Sequence, residues 1–386
     1  MASPDQLINK TLRLARSGLV GVVLKNPFKD RFFLLLFAVL VALSLFSPEL
    51  IASYPALVDW PTIAALTGLL ALTKGLELSS ALDHAGHWVT ARMTSERAVA
   101  LCLVMAAALL SMVLTNDVAL FVVVPLTLGV CRLTGMPLSR LVILEALAVN
   151  AGSALSPVGN PQNLFLWQLS GVSFNEFVVQ MLPLVLMLMA LLLVLTCMLF
   201  GRHPVKIGVG EQLAALDSRL FWCSLVLYAP FLLLTDLRHA QLAAMIVLLV
   251  FTLLRREVLT RIDWGLLLVF VLMFIDLRLL SGLTIVREAM QSFGLQQPRH
   301  LYLTAIAVSQ LISNVPAAIA LVDYSRDWRV IAYGVNVGGF SLMIGSMANL
   351  IALRMCGERK AWLEFHWYAI PFLGVAMAVG YLLLFM

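Results

Sequence analysis

Two Ser/Thr-Asn pairs interrupt long apolar segments of this 386-residue chain. Hydroxyl and amide groups inside an apolar segment are unfavourable unless they line a cavity or pack against protein. Such groups can coordinate a cation or donate hydrogen bonds to an anion. The pairs therefore predict two places where a polar ligand meets the chain inside a membrane. With the segments that contain them, they are Thr115 and Asn116 in 98–131, and Ser313 and Asn314 in 300–324.

A second kind of break follows each pair. Gly, Ser, Pro and Asn residues interrupt the apolar sequence at 152–161 and at 338–349. Helices broken at corresponding places in two halves of a chain are typical of transporters that bind their substrate near the membrane midplane. Free N–H groups at a helix start favour anions, and carbonyl groups at a helix end favour cations. The candidate residues are Asn150, Ser153, Gly159, Asn160 and Asn163 at the first break, and Asn336, Gly345, Ser346 and Asn349 at the second.

These breaks belong to one sequence module that occurs twice. Asp59 and Trp60 align with Asp263 and Trp264, and VNAGSALSPVGNPQNLFLW aligns without a gap with VNVGGFSLMIGSMANLIAL. The Ser/Thr-Asn pairs align between these anchors. A single polar break would be explained equally well by close helix packing or by hydrogen bonds between helices. Matching breaks in two copies favour one central ligand site.

Charged residues inside the apolar segments are further candidates. Asp117 follows the first pair, and Val315 occupies the matching position in the second copy. Asp117 is interpreted as a cation-binding or proton-carrying carboxylate, or else as a neutral structural residue. Glu145, near the start of its segment, is as consistent with the membrane surface as with a functional site. Residues that form a charge pair or a gate are expected to be Lys74 and Glu77 in the first copy, and Asp276 and Arg278 in the second.

Composition assigns the chain to the polytopic helical membrane proteins. Hydrophobic residues make up 61% of the chain and charged residues 12%, unlike a soluble domain. The net charge of +5 comes from basic residues dispersed among loops, so we expect no nucleic-acid partner. The five cysteines show no C-x-x-C spacing, and no Ser-His, Cys-His or nucleotide-binding motif is visible. We therefore expect no cofactor other than a coupling ion, and no enzymatic activity.

The distribution of Lys and Arg predicts orientation. Short cytoplasmic loops retain positive charge, and a cytoplasmic N-terminus places most basic clusters on that side. Lys74 then lies toward the inner end of its segment and Arg278 toward the outer end, which predicts inverted repeats. Each interrupted segment has halves too short to span alone, so it is either a re-entrant hairpin or two thin spans. Four parts are predicted. A cytoplasmic or interfacial segment (1–31) precedes the first transport repeat (32–201). A connecting loop and span (202–235) leads to the second, inverted repeat (236–386).

Several motifs resemble a known family. LTNDVALFVVVPLTL, EALAVNAGSALSPVGNPQNLFLW, SQLISNVPA and VNVGGFSLMIGSMANLIALRM are similar to the ion transporter superfamily, in its arsenite-permease, NhaD-type antiporter and citrate-permease-like branches. The resemblance covers nearly the whole chain beyond residue 30. It implies an all-α polytopic membrane protein of two inverted repeats, each with a re-entrant helical hairpin and a broken transmembrane helix. It also implies a homodimer.

The resemblance extends to the paired residues. In dicarboxylate-transporting relatives, Ser-Asn-Thr motifs at the hairpin tips bind substrate carboxylates and help to hold sodium. A sodium ion is accordingly implied near Thr115, Asn116 and Gly159. Thr115 and Asn116 match the first tip, and Ser313 and Asn314 match the second. Gly159 and Asn160 match the first unwound loop, and Gly345 and Ser346 match the second.

The third tip position departs from that pattern, because Asp117 and Val315 stand where dicarboxylate carriers have Thr. A fixed negative charge repels an anion unless it is protonated or paired with a cation. We expect a secondary active transporter of the bacterial inner membrane that moves a small anion or oxoacid with H⁺ or Na⁺ coupling. The alternative is a Na⁺(Li⁺)/H⁺ antiporter that uses Asp117. The expected partners are the small ionic substrate and the lipid bilayer.

Overall fold

The computed structural model describes residues 31–82, 84, 93–205, 215–340 and 342–386. Within these residues the chain forms helices and no strand, which confirms the all-α prediction. The predicted N-terminal segment lies outside the described residues except for Arg31. In chain order the α-helices are α1 (Arg31–Phe46), α2 (Tyr54–Leu57), α3 (Trp60–Leu78), α4 (Glu96–Val113), α5 (Asn116–Thr134), α6 (Leu138–Ser153), α7 (Pro161–Ser170), α8 (Phe174–Leu199), α9 (Ser218–Asp236), α10 (Ala240–Leu254), α11 (Arg256–Thr260), α12 (Trp264–Gly282), α13 (Thr284–Ser292), α14 (Pro298–Ile312), α15 (Asn314–Leu321), α16 (Trp328–Gly338), α17 (Met347–Cys356) and α18 (Ala361–Phe385).

Six helices of the described part are long and apolar enough to cross a membrane. They are α4, α5, α8, α9, α12 and α18, with 18 to 26 residues each. A seventh candidate span is the pair formed by Phe33–Phe46 and Pro48–Leu57, which is bent by 120°. These helices confirm the polytopic class.

The two interrupted segments differ in length. In the first copy, α4 and α5 have 18 and 19 residues, so each half is long enough to span. The expectation that the halves are too short is therefore wrong in that copy. The helices run beyond 98–131 because the Ser95 side chain caps the start of α4, and Gly135, in a left-handed conformation, ends α5. In the second copy, α14 and α15 have only 15 and 8 residues.

The first anchor of the repeat has the same local structure in both copies. Asp59 and Asp263 cap the helices α3 and α12, each by accepting a 2.9 Å hydrogen bond from the backbone N–H three residues later. The indole N–H groups of Trp60 and Trp264 donate to carbonyl groups five residues earlier, at 2.8 and 3.0 Å. The Asp-Trp pair thus defines a helix start twice.

Glycines bring the broken helices close to their neighbours. A Cβ atom at Gly152 of α6 would lie 2.2 Å from the Ala108 carbonyl oxygen of α4. A Cβ atom at the matching Gly338 of α16 would lie 2.6 Å from Ser309 Cβ of α14. Both helix pairs therefore approach more closely than any side chain at these positions would allow.

Helices of one copy pack against the other copy in reciprocal pairs. α7 contacts α15 and α16, while its counterpart α17 contacts α5 and α6. Likewise, α10 packs on α3, and α1 packs on α12. A two-fold relation between the copies would produce such contacts. The inverted orientation in a membrane and the four-part division of the chain stay predictions.

Candidate functional site

The two tips are short breaks between consecutive helices, and they are closed to solvent. α4 ends at Val113 and α5 begins at Asn116, whereas α14 ends at Ile312 and α15 begins at Asn314. The exposed fraction is only 3 to 7% for each of the four tip residues. The tip residues are therefore buried in this structure. The tip residues are Thr115, Asn116, Ser313 and Asn314.

The first tip holds two buried oxygen atoms without a hydrogen-bond partner among the described residues. They are Thr115 Oγ1 and Asn116 Oδ1. A buried polar atom left unpaired costs about 1–3 kcal/mol, so each such atom calls for an explanation. Both oxygens lie at the start of α5, where the first backbone N–H groups also lack helical partners. The tip therefore offers oxygen atoms to a cation and N–H groups to an anion.

The second tip has a strained backbone. Ser313 has a φ of +74°, a left-handed value that typically costs a non-glycine residue about 1–3 kcal/mol. Its hydroxyl group lies 3.4 Å from Asn314 Oδ1. A Cβ atom at Gly339 would lie 3.5 Å from Asn314 Nδ2, so this tip lies against the second break. Strain of this kind is concentrated at ligand sites.

Asparagines of the two breaks hydrogen-bond across the copies. Asn150 Nδ2 donates to Asn349 Oδ1 at 2.8 Å, and Asn336 Nδ2 donates to Asn163 Oδ1 at 2.7 Å. Because Asn150 matches Asn336 and Asn163 matches Asn349, the two bonds are equivalent under the repeat. We call these four residues the asparagine cluster. It joins the two broken helices at the centre of the molecule.

The residues that begin the short half-helices extend these contacts. Asn160, which caps α7, donates to Asn336 Oδ1 at 3.1 Å. Ser346, at the start of α17, donates to Asn150 Oδ1 at 2.8 Å. On the first side, Ser153 accepts from Asn160 Nδ2 through both its carbonyl and its hydroxyl oxygen, at 3.2 Å. The side-chain amides at the breaks thus mostly hydrogen-bond to one another.

Gly159 and Gly345 lie in the unwound segments, in close contact with other backbone. A Cβ atom at Gly159 would lie 2.4 Å from the Ser153 carbonyl oxygen, and one at Gly345 would lie 2.8 Å from the Gly338 carbonyl oxygen. Both glycines are therefore required by packing. A ligand role for the residues of the breaks stays a prediction.

The charged candidates of the first copy lie near the first tip. Asp117 is half-buried and interacts electrostatically with Lys74 and Asp263. Lys74 Nζ also lies 2.5 Å from Glu77 Oε2, three residues further along α3. Lys74 is thus a cation that influences both Glu77 and Asp117.

The charged candidates of the second copy do not pair with each other. Asp276 and Arg278 are two residues apart, which separates them by roughly 200° around α12, and no ion pair of the described residues joins them. Both carboxylate oxygens of Asp276 are buried without a hydrogen-bond partner, whereas Arg278 interacts with Asp323. The expected charge pair is therefore absent here. A gating role for either residue stays a prediction.

Glu145 lies in the interior of the protein. It is 0% exposed, its Oε1 accepts a hydrogen bond from the Thr127 hydroxyl, and its Oε2 has no partner. It precedes Asn150 on α6 by five residues, or about one and a half turns. In the sequence, Glu145 stands out as the single acidic residue in the apolar run LVILEALAV, which indicates a buried carboxyl group.

No metal cluster of the described residues marks the candidate site. The described residues contain no group of three or more His, Cys, Asp and Glu side chains that could hold a metal ion. A surface cleft lies instead at the ends of α7 and α15, away from the tips. It is lined by Leu169, Ser170, Val322, Ser325, Arg326 and Trp328.

Most of this chain is similar in sequence to known proteins. The citrate transporter family, CitMHS, matches residues 22–327. The inner membrane protein YbiR of Escherichia coli (strain K12) is 47% identical over 355 residues, which cover 92% of this chain and 95% of the relative. The uncharacterized transporter MJ0456 of Methanocaldococcus jannaschii is 32% identical over 302 residues, covering 78% and 82%. The silicon efflux transporter LSI3 of Oryza sativa subsp. japonica is 27% identical over 170 residues, covering 42% and 35%.

These matches confirm the resemblance carried by the motifs. The matched family spans far more than half of the chain, and six described helices are long and apolar enough to cross a membrane. The names of the relatives indicate transport rather than catalysis. The chain therefore belongs to the CitMHS citrate transporter family and is a membrane transporter, not an enzyme.

Proposed function

We propose that this transporter is secondary active and moves a small anion or oxoacid across the bacterial inner membrane, coupled to H⁺ or Na⁺. The observation that carries the proposal is the buried first tip, where Thr115 Oγ1 and Asn116 Oδ1 have no hydrogen-bond partner among the described residues. Buried polar groups at a break between helices are typical of ion and substrate sites in membrane transporters.

The first tip can serve two ligands of opposite charge. Hydroxyl, amide and carbonyl oxygens are suitable ligands for Na⁺, and the free N–H groups at the start of α5 are suitable for an anion. A Cβ atom at Gly159 would lie 2.7 Å from the Ser111 carbonyl oxygen, so the first break adjoins the end of α4. This contact supports a sodium ion near Thr115, Asn116 and Gly159. Binding of one ion would then favour binding of the other.

The relatives support the class of substrate and the location. The family is described as citrate transporters, and one relative is named a silicon efflux transporter, which supports a small solute as the cargo. Another relative is named as an inner membrane protein. The cytoplasmic N-terminus rests on the positions of Lys and Arg, and a homodimer rests on the family resemblance.

The second candidate function is Na⁺(Li⁺)/H⁺ exchange. It is favoured by Asp117, a half-buried carboxylate beside the first tip that interacts with Lys74. A carboxylate in this position can bind Na⁺ and a proton in alternation. The two functions differ in whether an anion is needed for proton movement.

Proteoliposomes with a preset proton gradient test the proposal. Internal pH is followed while Na⁺, Li⁺, citrate, succinate, sulfate, arsenite or silicic acid is added singly. We expect an anion or oxoacid to dissipate the gradient, and Thr115→Val to weaken the response at least about tenfold, the effect of losing about 1.4 kcal/mol of binding. Thr134→Val is the matched control, because its hydroxyl group lies at the far end of α5 and donates to the Val130 carbonyl oxygen.

Asp117→Asn separates the two functions. In an anion transporter, this variant retains counterflow exchange of the anion. In an antiporter, Na⁺ or Li⁺ alone dissipates the gradient in the wild type and Asp117→Asn abolishes the response. Absence of any response or exchange across the whole panel would contradict ion-coupled transport of these solutes.

A further inference from the structure

The carboxyl group of Glu145 lies between two helices that lead to the candidate site. α5, which carries Thr127, begins at the first tip, and α6, which carries Glu145, continues to Asn150. The Thr127 hydroxyl donates to Glu145 Oε1, and Oε2 has no partner. Glu145 therefore lies on the helix that continues to the asparagine cluster and contacts the helix that begins at the first tip.

No ion pair of the described residues involves Glu145. The titratable groups that interact with it electrostatically are Cys131 on α5 and Cys356 on α17. Both cysteines also interact with Glu358, and Cys356 interacts with Glu364. The described residues of α4 and α8 contribute no such group. An ionised carboxylate that is buried and unpaired costs several kcal/mol, which favours the protonated form of Glu145 in this conformation.

The geometry fits a proton better than a metal cation. A hard cation such as Ca²⁺ takes about six or more oxygen ligands. Glu145 and Thr127 together supply three side-chain oxygens, and the Thr127 hydroxyl group is already engaged as a donor. A proton needs only one oxygen, and Glu145 Oε2 is free for it.

We propose that Glu145 carries the proton that moves with the cargo of this transporter. This inference rests on the proposed function and assigns its H⁺ coupling to one residue. Oε2 takes a proton from water on one side of the membrane and releases it to water on the other, so an O–H bond is the only bond formed or broken. Glu145 is 0% exposed in this conformation. Release therefore requires a rearrangement that admits water to Oε2.

Glu145→Gln is the decisive variant. Glutamine has the shape of the protonated side chain and keeps an acceptor for Thr127, but it cannot release a proton. Glu364→Gln is the matched control, because Glu364 also accepts a hydrogen bond from a hydroxyl group, that of Ser139, but is only partly buried. Thermal unfolding of both purified variants is measured first, to establish that each is folded.

Transport is then measured in proteoliposomes with the compound of the panel that the wild type moves. We expect Glu145→Gln to retain counterflow exchange of this compound while its coupled proton flux falls at least tenfold. Glu364→Gln should retain both. Unchanged proton flux in folded Glu145→Gln would overturn the proposal. Loss of counterflow as well would also overturn it, because Glu145 would then act in movement rather than in coupling.

Infrared spectroscopy provides a readout that needs no cargo. The wild-type minus Glu145→Gln difference spectrum at neutral pH should contain the carbonyl band of a protonated carboxylic acid, shifted in D₂O. A carboxylate band in its place would overturn the proposal. If the wild type moves no compound of the panel, the proposed function fails, and the infrared band still supports or contradicts a protonated Glu145.

Discussion

Two kinds of buried polar side chain lie close together in the candidate site. The amides of the asparagine cluster hydrogen-bond to one another across the copies, whereas Thr115 Oγ1 and Asn116 Oδ1 at the first tip have no partner. Paired buried groups make a structure rigid, and unpaired ones call for a ligand. The cluster therefore serves the framework, and ion binding at the tips stays a prediction.

A double-mutant cycle on Asn150 and Asn349 tests the framework role. Each substitution to Ala is expected to lower the free energy of unfolding by about 1–3 kcal/mol, because it leaves a buried partner unpaired. The coupling energy should be about 0.5–3 kcal/mol, as for other residues in direct contact. Unfolding in detergent measures both. Asn175→Ala on the exposed start of α8 is the control, and additive effects of the two substitutions would contradict a direct bond.

The end of the short helix α7 is stabilised by a residue that is distant in the sequence. Arg238, in the turn between α9 and α10, donates to the carbonyl oxygens of Trp167, Gln168 and Val172 at 3.1, 2.8 and 3.0 Å. Carbonyl groups at a helix end lack helical partners, and Gly171 turns the chain there with a φ of +79°. The short helix α7 is therefore completed by a side chain from outside its own repeat segment.

Close packing of the broken helices can be tested at Gly152. Gly152→Ala should destabilise the protein by about 1–3 kcal/mol, because the new Cβ atom would lie 2.2 Å from a backbone oxygen of α4. Gly129→Ala on α5 is the control, since no atom lies within 4 Å of a Cβ atom there. It should stabilise the helix by about 0.5–1 kcal/mol. Thermal unfolding compares the two variants, and equal stability would contradict the close approach.

At the scale of the whole molecule, the two copies bury each other's broken helices. α7 of the first copy and α17 of the second each pack against the opposite copy. One copy alone would therefore expose the polar breaks that the other now covers. The consequence is one shared centre rather than two independent sites.

Orientation in the membrane is a prediction for the whole chain. Cysteine is introduced into a cysteine-free variant at Ser292 of α13 or at Glu257 of α11, both exposed. A membrane-impermeant maleimide should label Ser292→Cys in right-side-out vesicles, and Glu257→Cys only after permeabilisation, because short basic loops stay in the cytoplasm. The reverse pattern would place the N-terminus outside. Equal labelling of both sites would contradict a membrane-spanning α12 between them.

By itself, the sequence determined the membrane class, the helical fold and the positions of the breaks. Long apolar segments in a chain this apolar favour helices in a bilayer, because a helix satisfies its own backbone hydrogen bonds. The helix starts at Asp59 and Asp263 depend only on atoms three residues away. The lengths of α4 and α5 were missed because Ser95 and Gly135, which set their ends, lie outside the apolar segment used to place them.

The tertiary structure alone decided which buried polar groups have partners. Asn150 and Asn349 are 199 residues apart in the chain and bond directly, whereas Asp276 and Arg278 are neighbours in sequence and do not pair. The Glu145 side chain is buried because α5 packs against α6. The physical reason is that hydrogen bonding and burial depend on which helices meet. Apolar segments indicate where helices lie but contain little information about which faces come into contact.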